Sequence, residues 1–329
     1  MDCSSSEKDE YFWILHFVLI LSLPVYIVAI IALLQTKSTY FETYKLFLIW
    51  HPLGNLLAEI LNSWFLVPVV HLPLPLLRFT GFLSQWGFSG LFQFLIIVSM
   101  IYQTAYSVFE MFMFRFRANM LDYKSCRFYI YLKIKTYIFR IVLIGFIVAN
   151  CITYHIGLEQ QHIIRQNLSN RYPESSILVI CPNVIVAAPF EDPISLYNMI
   201  IWLFVVIITI TSTTSTTIYL SRNLKENSHQ SAAVVRMHNM LLITLSIQTA
   251  IHGIMLGIPN SLFIFAAFFG VRHESVAKIS FIFLTFHGFA STLAMILLTK
   301  PIKLTVLQIL KCKFSEKSVE NPRRLSNKL

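Results

Sequence analysis

Seven long apolar stretches run along this chain, separated by six short polar segments. Lipid is the solvent that such a pattern fits. A bilayer core of ~30 Å takes about 20 apolar residues per helix, and a helix satisfies its own backbone there. Only 13% of the 329 residues are charged and 56% are hydrophobic, where a soluble domain carries about 25% charge. The stretches fall at 12–34, 46–70, 88–109, 137–154, 195–219, 240–269 and 279–298. The expected fold is therefore an all-α membrane protein, a seven-transmembrane helix bundle. Pro24 and Pro259 lie inside spans, where each removes a backbone hydrogen bond and marks a kink.

Orientation follows from Lys and Arg in the connecting segments. Segments 35–45, 110–136, 220–239 and 299–329 hold 19 of them, and the alternate set holds 6. The N-terminus is then outside and the C-terminus cytosolic. The one N-x-[ST] sequon, Asn167-Leu168-Ser169, lies between spans four and five on the expected outer side, a candidate glycosylation site. The net charge of +10 does not point to nucleic acid, because the basic residues sit in alternate loops and form no soluble basic domain. Residues 1–10 are polar and acidic, so the first run is expected to be its own uncleaved anchor. No cofactor is implied, and the five cysteines show no CxxC pair or zinc spacing.

Polar residues inside spans are the candidate functional positions. Asn55, Glu59 and Asn62 share one face of span two. A carboxylate there costs roughly 2.5–3.5 kcal/mol or more, so Glu59 must face the bundle, either as an activation switch or as a structural hydrogen-bonding group. Gln248 and His252 share a face of span six just before Pro259, a candidate hinge, and His287 lies on span seven. Together with Gln93 they are candidate ligand contacts, and interhelical hydrogen bonding is the alternative. Gln103 on span three also points inward on this reading. A ligand cavity would lie among spans two, three, five, six and seven and open to the outside. In the stretch 209–217 the hydroxyls can bond carbonyls one turn back and soften the helix.

After span seven, Ile302, Val306, Ile309 and Leu310 share one side, flanked by Lys303, Lys311 and Lys313. Residues 299–314 read as an amphipathic helix on a membrane surface with anionic lipid, with Cys312 a palmitoylation candidate. Residues 315–329 read as a disordered tail and 1–11 as an extracellular N-terminus.

Phe286-His287-Gly288-Phe289-Ala290-Ser291-Thr292, followed by Lys300-Pro301, resembles the ending of nematode serpentine chemoreceptors of class H. Tyr44-Lys45-Leu46-Phe47-Leu48, Pro68 with Pro73 and Pro75, Phe109-Glu110, Gln248 and Pro259 resemble that family in place and spacing. Class I of the same superfamily is the second choice. The resemblance spans nearly the whole chain. It implies a G-protein-coupled receptor for small environmental chemicals, at the plasma membrane of sensory cilia. Glu110, Arg115 and Arg117 then stand on the G-protein side. Two departures are plain: Pro301-Ile302-Lys303 replaces Pro-Tyr-Arg, and the arginine after Phe109-Glu110 is displaced to Arg115. In rhodopsin-like receptors a disulfide ties the long outer loop to span three. This chain has no cysteine near 84–90, so Cys181 is left with Cys3 or Cys151 as outer-side partners.

Three other classes fit less well. His51-Pro52-Leu53-Gly54-Asn55, Gly87-Phe88-Ser89-Gly90 and His252-Gly253 resemble rhomboid protease motifs in order. A serine protease needs Ser and His in hydrogen-bond reach, whereas His51 is expected near the cytosolic start of span two and Ser89 near the outer start of span three. An inverted seven-helix ligand-gated channel conflicts with the loop charges and the sequon. A transporter would show repeated halves or a charge relay. Arg140, near the cytosolic end of span four, is expected to snorkel.

Overall fold

The computed structural model describes residues 10–36, 42–71, 76–119, 129–171, 173, 176–186, individual positions between 193 and 222, and residues 232–269 and 274–319. Helix α1 (Glu10–Gln35) is apolar all round, and its outer face shows what surrounds it. Phe17 and Ile20 are each 63% exposed, where a helix facing water would present polar groups. Helix α2 (Glu42–Ile60) runs on into a wider π-helical segment, Leu61–Leu66. Helix α4 (Gly90–Asn119) and the long α5 (Tyr129–Arg171) follow, then helical positions between 193 and 222. Helix α7 (Ala232–His252), a π segment (Gly253–Gly257) and α8 (Ile258–Phe269) make one pass, and α9 (Glu274–Leu298) the last. Among the described residues, Glu10–Gln35, Gly90–Phe114, Asn239–Ala266 and Ser275–Leu298 are long and apolar enough to cross a membrane.

Span two ends earlier than its apolar run suggests. Val67 stands at φ 43° and turns the chain into strand β1 (Pro68–His71). A β-branched residue with positive φ before a proline is doubly disfavoured. Neighbouring bonds hold it there: Thr80 Oγ1 donates to Val67 O (3.1 Å) and Gly81 N to Leu66 O (3.0 Å). Strand β1 pairs antiparallel with β2 (Leu76–Phe79), and β2 with β3 (Val184–Val186), in the order β1-β2-β3. The short α3 (Phe82–Gln85) follows β2, and α6 (Ser176–Ile180) precedes β3.

This sheet closes one end of the bundle. Val70, Leu77, Phe79 and Ile185 pack on Leu15, Ile97, Phe281 and Leu284 in one apolar cluster. Asn183 Nδ2 donates to Phe79 O (2.6 Å) and Gly90 N to Pro182 O (2.8 Å). A Cβ on Gly90 would lie 2.7 Å from the Val184 carbonyl carbon, so glycine lets the start of α4 sit against β3. A close backbone contact thus joins the segment leading into β3 to the start of α4. A cavity opening straight out through this end, as the sequence suggested, is covered by the sheet and its apolar cluster.

The opposite end is closed by α10 (Lys300–Val319), a longer helix than the expected 299–314. Ile302 and Val306 are buried in a cluster with Leu33, Tyr44, Leu48, Phe112, Leu245 and Met295, and Ile309 packs against it. Leu310 does not share that side: with Leu304 and Leu307 it is exposed, so α10 has one apolar face on the bundle and another on its surroundings. Lys45 Nζ donates to Leu34 O (2.7 Å), satisfying a carbonyl at the end of α1. Span three runs on to Asn119, and span four to Arg171, past the expected Tyr154. In the threonine-rich stretch Thr211 Oγ1 bonds Ile207 O (2.5 Å), one turn back.

Candidate functional site

A buried polar seam joins α1, α2, α4, α7 and α9 through the middle of the bundle. It begins with Gly288. A Cβ there would lie 2.7 Å from Asn55 Cβ and would also meet Tyr26 Oη. Glycine therefore lets α9 approach α1 and α2 closely enough for short side chains to meet.

At the α1 edge, Glu59 is 1% exposed. Tyr26 Oη donates to its Oε2 at 2.9 Å, and Ser22 Oγ donates to its Oε1. The carboxyl group faces inward with both oxygens partnered, as its cost in lipid requires.

His51 forms the centre. Ser107 Oγ gives its proton to Thr104 O (2.8 Å), so its lone pairs meet His51 Nδ1 at 2.7 Å. In the tautomer that matches this arrangement, Nδ1 carries the ring proton and Nε2 is the acceptor. Three donors surround this one lone pair: Asn55 Nδ2 at 3.2 Å, Ser291 Oγ at 3.3 Å and His252 Nε2 at 3.2 Å. One lone pair makes one good hydrogen bond, so the three helices that supply these donors compete for it.

Around this node the contacts between α7 and α9 are long. Gln248 Nε2 donates to Ser291 Oγ at 3.4 Å and to Ser291 O at 3.5 Å. The His252 and His287 rings meet edge-on with centroids 5.3 Å apart. His287 Nδ1 donates to Leu284 O (2.5 Å). Asn55 Oδ1, His252 Nδ1 and His287 Nε2 are buried with no partner. A buried polar group left without a partner costs about 1–3 kcal/mol.

Several positions chosen from the sequence meet here: Asn55, Gln248, His252 and His287. Gln93 does not. Its Nε2 donates to Phe88 O (2.9 Å) and its Oε1 accepts from Ser84 Oγ (3.1 Å), so it ties α3 to the start of α4 at the sheet end. Asn62 is buried in the π segment, and its carbonyl accepts from Val67 N (3.1 Å). Pro259 directly follows the π segment inside one continuous helical pass, where its missing N–H leaves a carbonyl of the preceding turn without a donor. The irregular turn is the π segment before it.

His51 is a correction: it sits in the polar centre rather than near the end of α2. Ser89 bonds Phe92 N (3.3 Å) at the start of α4 and is no part of that centre. Glu110 is buried, and Arg140 bonds it instead of snorkelling. Arg115 and Arg117 lie on α4 and Cys312 on α10, with side chains outside the described residues. Asn167 is exposed near the end of α5. Nearby, Arg165 donates to Cys181 O (3.1 Å) and to Val184 O, and burial lowers its pKa from the ordinary guanidinium value. Cys181 is disulfide-bonded; of its two candidate partners, Cys3 lies outside the described residues and Cys151 is on α5 with its side chain outside them. Ser22, Tyr26, Ser107 and Ser291 escaped sequence reasoning, because a hydroxyl in a span bonds its own helix as readily as a neighbour. Among the described residues, no three metal-ligating side chains are grouped to hold an ion.

A family model described as serpentine type 7TM GPCR chemoreceptor Srh matches residues 6–312. The chain belongs to the Srh family. Among curated proteins none matches it. As an Srh chain it is a multi-pass membrane protein of the seven-transmembrane receptor type, and its family is one of chemoreceptors, not a known family of enzymes. The class H resemblance and the receptor fold read from the sequence are thus correct. The His-Gly pair of its motif has a physical role here: Gly288 sets the helix spacing and His287 joins the seam.

Proposed function

We propose that this Srh chain detects a small, mostly apolar environmental chemical and signals through a heterotrimeric G protein. The observation that carries this is the His51 node, where donors from α2, α7 and α9 compete for one lone pair. A packing held by such a node has near alternatives, and a ligand that binds one of them better shifts the population. Helix α7 would move against α9, because their contacts at Gln248–Ser291 and His252–His287 are the loosest in the seam. The π segment and Pro259 would serve as the hinge.

The loop charges put the sheet end outside and the α10 end in the cytosol. The G protein would then meet segments 110–136 and 220–239, with Arg115 and Arg117, beside α10. The plasma membrane of a sensory cilium is the location that the family implies. Cys312 on α10 is the palmitoylation candidate.

Nucleotide exchange on a co-expressed G protein tests the switch. Wild type, Ser291→Ala and Pro259→Ala would be compared at matched surface expression. Altered basal exchange in Ser291→Ala is expected, since one competing donor is gone. Unchanged basal exchange in both variants would remove the node and the hinge from the mechanism.

A further inference from the structure

Between α8 and α9, toward the sheet end, lies a cavity of about 140 Å³. Its inner wall includes Phe281 and Leu284, members of the cluster beneath the sheet. Its rim is different. Leu262, Phe265 and Val276 are 42%, 50% and 47% exposed, on the side of the bundle that faces lipid. Asn260 and Ser280 are the polar side chains in the lining, and Asn260 Nδ2 already donates to Leu256 O (2.7 Å). The cavity is therefore apolar, closed toward the sheet and open sideways to the hydrocarbon.

We infer that this crevice is the ligand site, and that it takes a small apolar molecule with at most one hydrogen-bonding group, arriving through the bilayer. Size selects the occupant. An apolar cavity of about 150 Å³ stays dry and accepts a benzene-sized guest. A phospholipid tail reaches through half of a ~30 Å core, whereas the crevice runs only from Pro259 to Ala266 along α8, roughly 10 Å at 1.5 Å per residue. Chemistry agrees, since Asn260 and Ser280 can orient one polar group while aromatic and aliphatic walls hold the rest. Position gives the occupant a route to the seam. Leu284 lines the crevice, and its carbonyl takes the His287 Nδ1 proton one turn further in. A guest that spreads α8 from α9 therefore acts on the His252–His287 contact.

This inference rests on the receptor reading above, and its test is independent of signalling. Purified full-length chain in phospholipid nanodiscs would be photolabelled with a small phenyl trifluoromethyl diazirine, and labelled peptides mapped by mass spectrometry. Saturable labelling within 258–284, displaced by toluene, is the expected result. In Ala277→Trp, and separately in Ser280→Leu, it falls by about tenfold or more, while a wild-type thermal unfolding transition in the same nanodiscs reports an intact fold. Labelling that rises linearly with probe, as on any lipid-facing helix, overturns the assignment. Displacement by oleate but not by toluene also overturns it, because the occupant is then a lipid chain. If labelling behaves as expected and no G protein responds to any chemical, the crevice stands and the signalling reading falls.

Discussion

Arg140 forks Glu110 across the α4–α5 interface, Nε to Oε1 at 2.7 Å and Nη2 to Oε2 at 2.9 Å. The two side chains are unequally buried, Glu110 at 4% and Arg140 at 36% exposure. A bidentate guanidinium–carboxylate pair has two charge-assisted bonds. Its coupling is reduced by the solvent or headgroups that reach Arg140. Together these place it at about 1–2 kcal/mol. A double-mutant cycle of Glu110→Gln and Arg140→Met, read by thermal unfolding in nanodiscs, should return coupling of that size. Additive effects within about 0.3–0.5 kcal/mol would mean the pair contributes nothing of its own.

Gly288→Ala should destabilise the bundle by about 1–3 kcal/mol, as overpacking does. The new methyl group meets Asn55 Cβ at 2.7 Å, and that atom is anchored to the α2 backbone. Gly145→Ala is the matched control, because nothing lies within 4 Å of its added methyl group. Loss of a mid-helix glycine there should be neutral or slightly stabilising. Equal unfolding temperatures for the two variants would show that α9 does not depend on close approach at Gly288.

Helix periodicity made the inward faces legible. Glu59, Gln248 and His252 all point inward because any other direction would put a polar group in lipid. The partners were not legible, since periodicity on one helix does not say which helix lies opposite. Hence the sequence does not join His51 to Ser107 and Ser291, nor Arg140 to Glu110 on the neighbouring helix. The sheet was missed for another reason. Val69 and Val70 continue the apolar run of span two, and a short buried strand reads like the last turn of a helix. The positive φ of Val67, which separates the two, is imposed by Thr80 and Gly81 from beyond the next strand.

Cys181 is 3% exposed and disulfide-bonded. Pairing with Cys3, one of its two candidate partners, would tie the N-terminus to the segment before β3. Cys3→Ser and Cys181→Ser should then lower the unfolding temperature equally, and the double variant should be no worse than either. The loss expected is about 2–4 kcal/mol if the closed loop constrains the unfolded chain. A free thiol at Cys3 in the wild-type protein, found by alkylation without reductant, would assign the bridge to another cysteine.

Sidedness decides which end of the bundle meets ligand and which meets the G protein. The unequal distribution of Lys and Arg, 19 against 6, is expected to place the sheet outside. Asn167 carries the sequon, is exposed, and lies beyond the membrane-spanning part of α5 on the sheet side. A C-terminal tag should therefore be inaccessible to antibody in intact cells and accessible after permeabilisation. Glycosidase should raise the mobility of wild type but not of Asn167→Gln. An exposed tag together with an unglycosylated Asn167 would reverse the bundle. The sheet would then lie in the cytosol, the basic segments and α10 would face outward, and the proposed G-protein surface would be on the wrong side of the membrane.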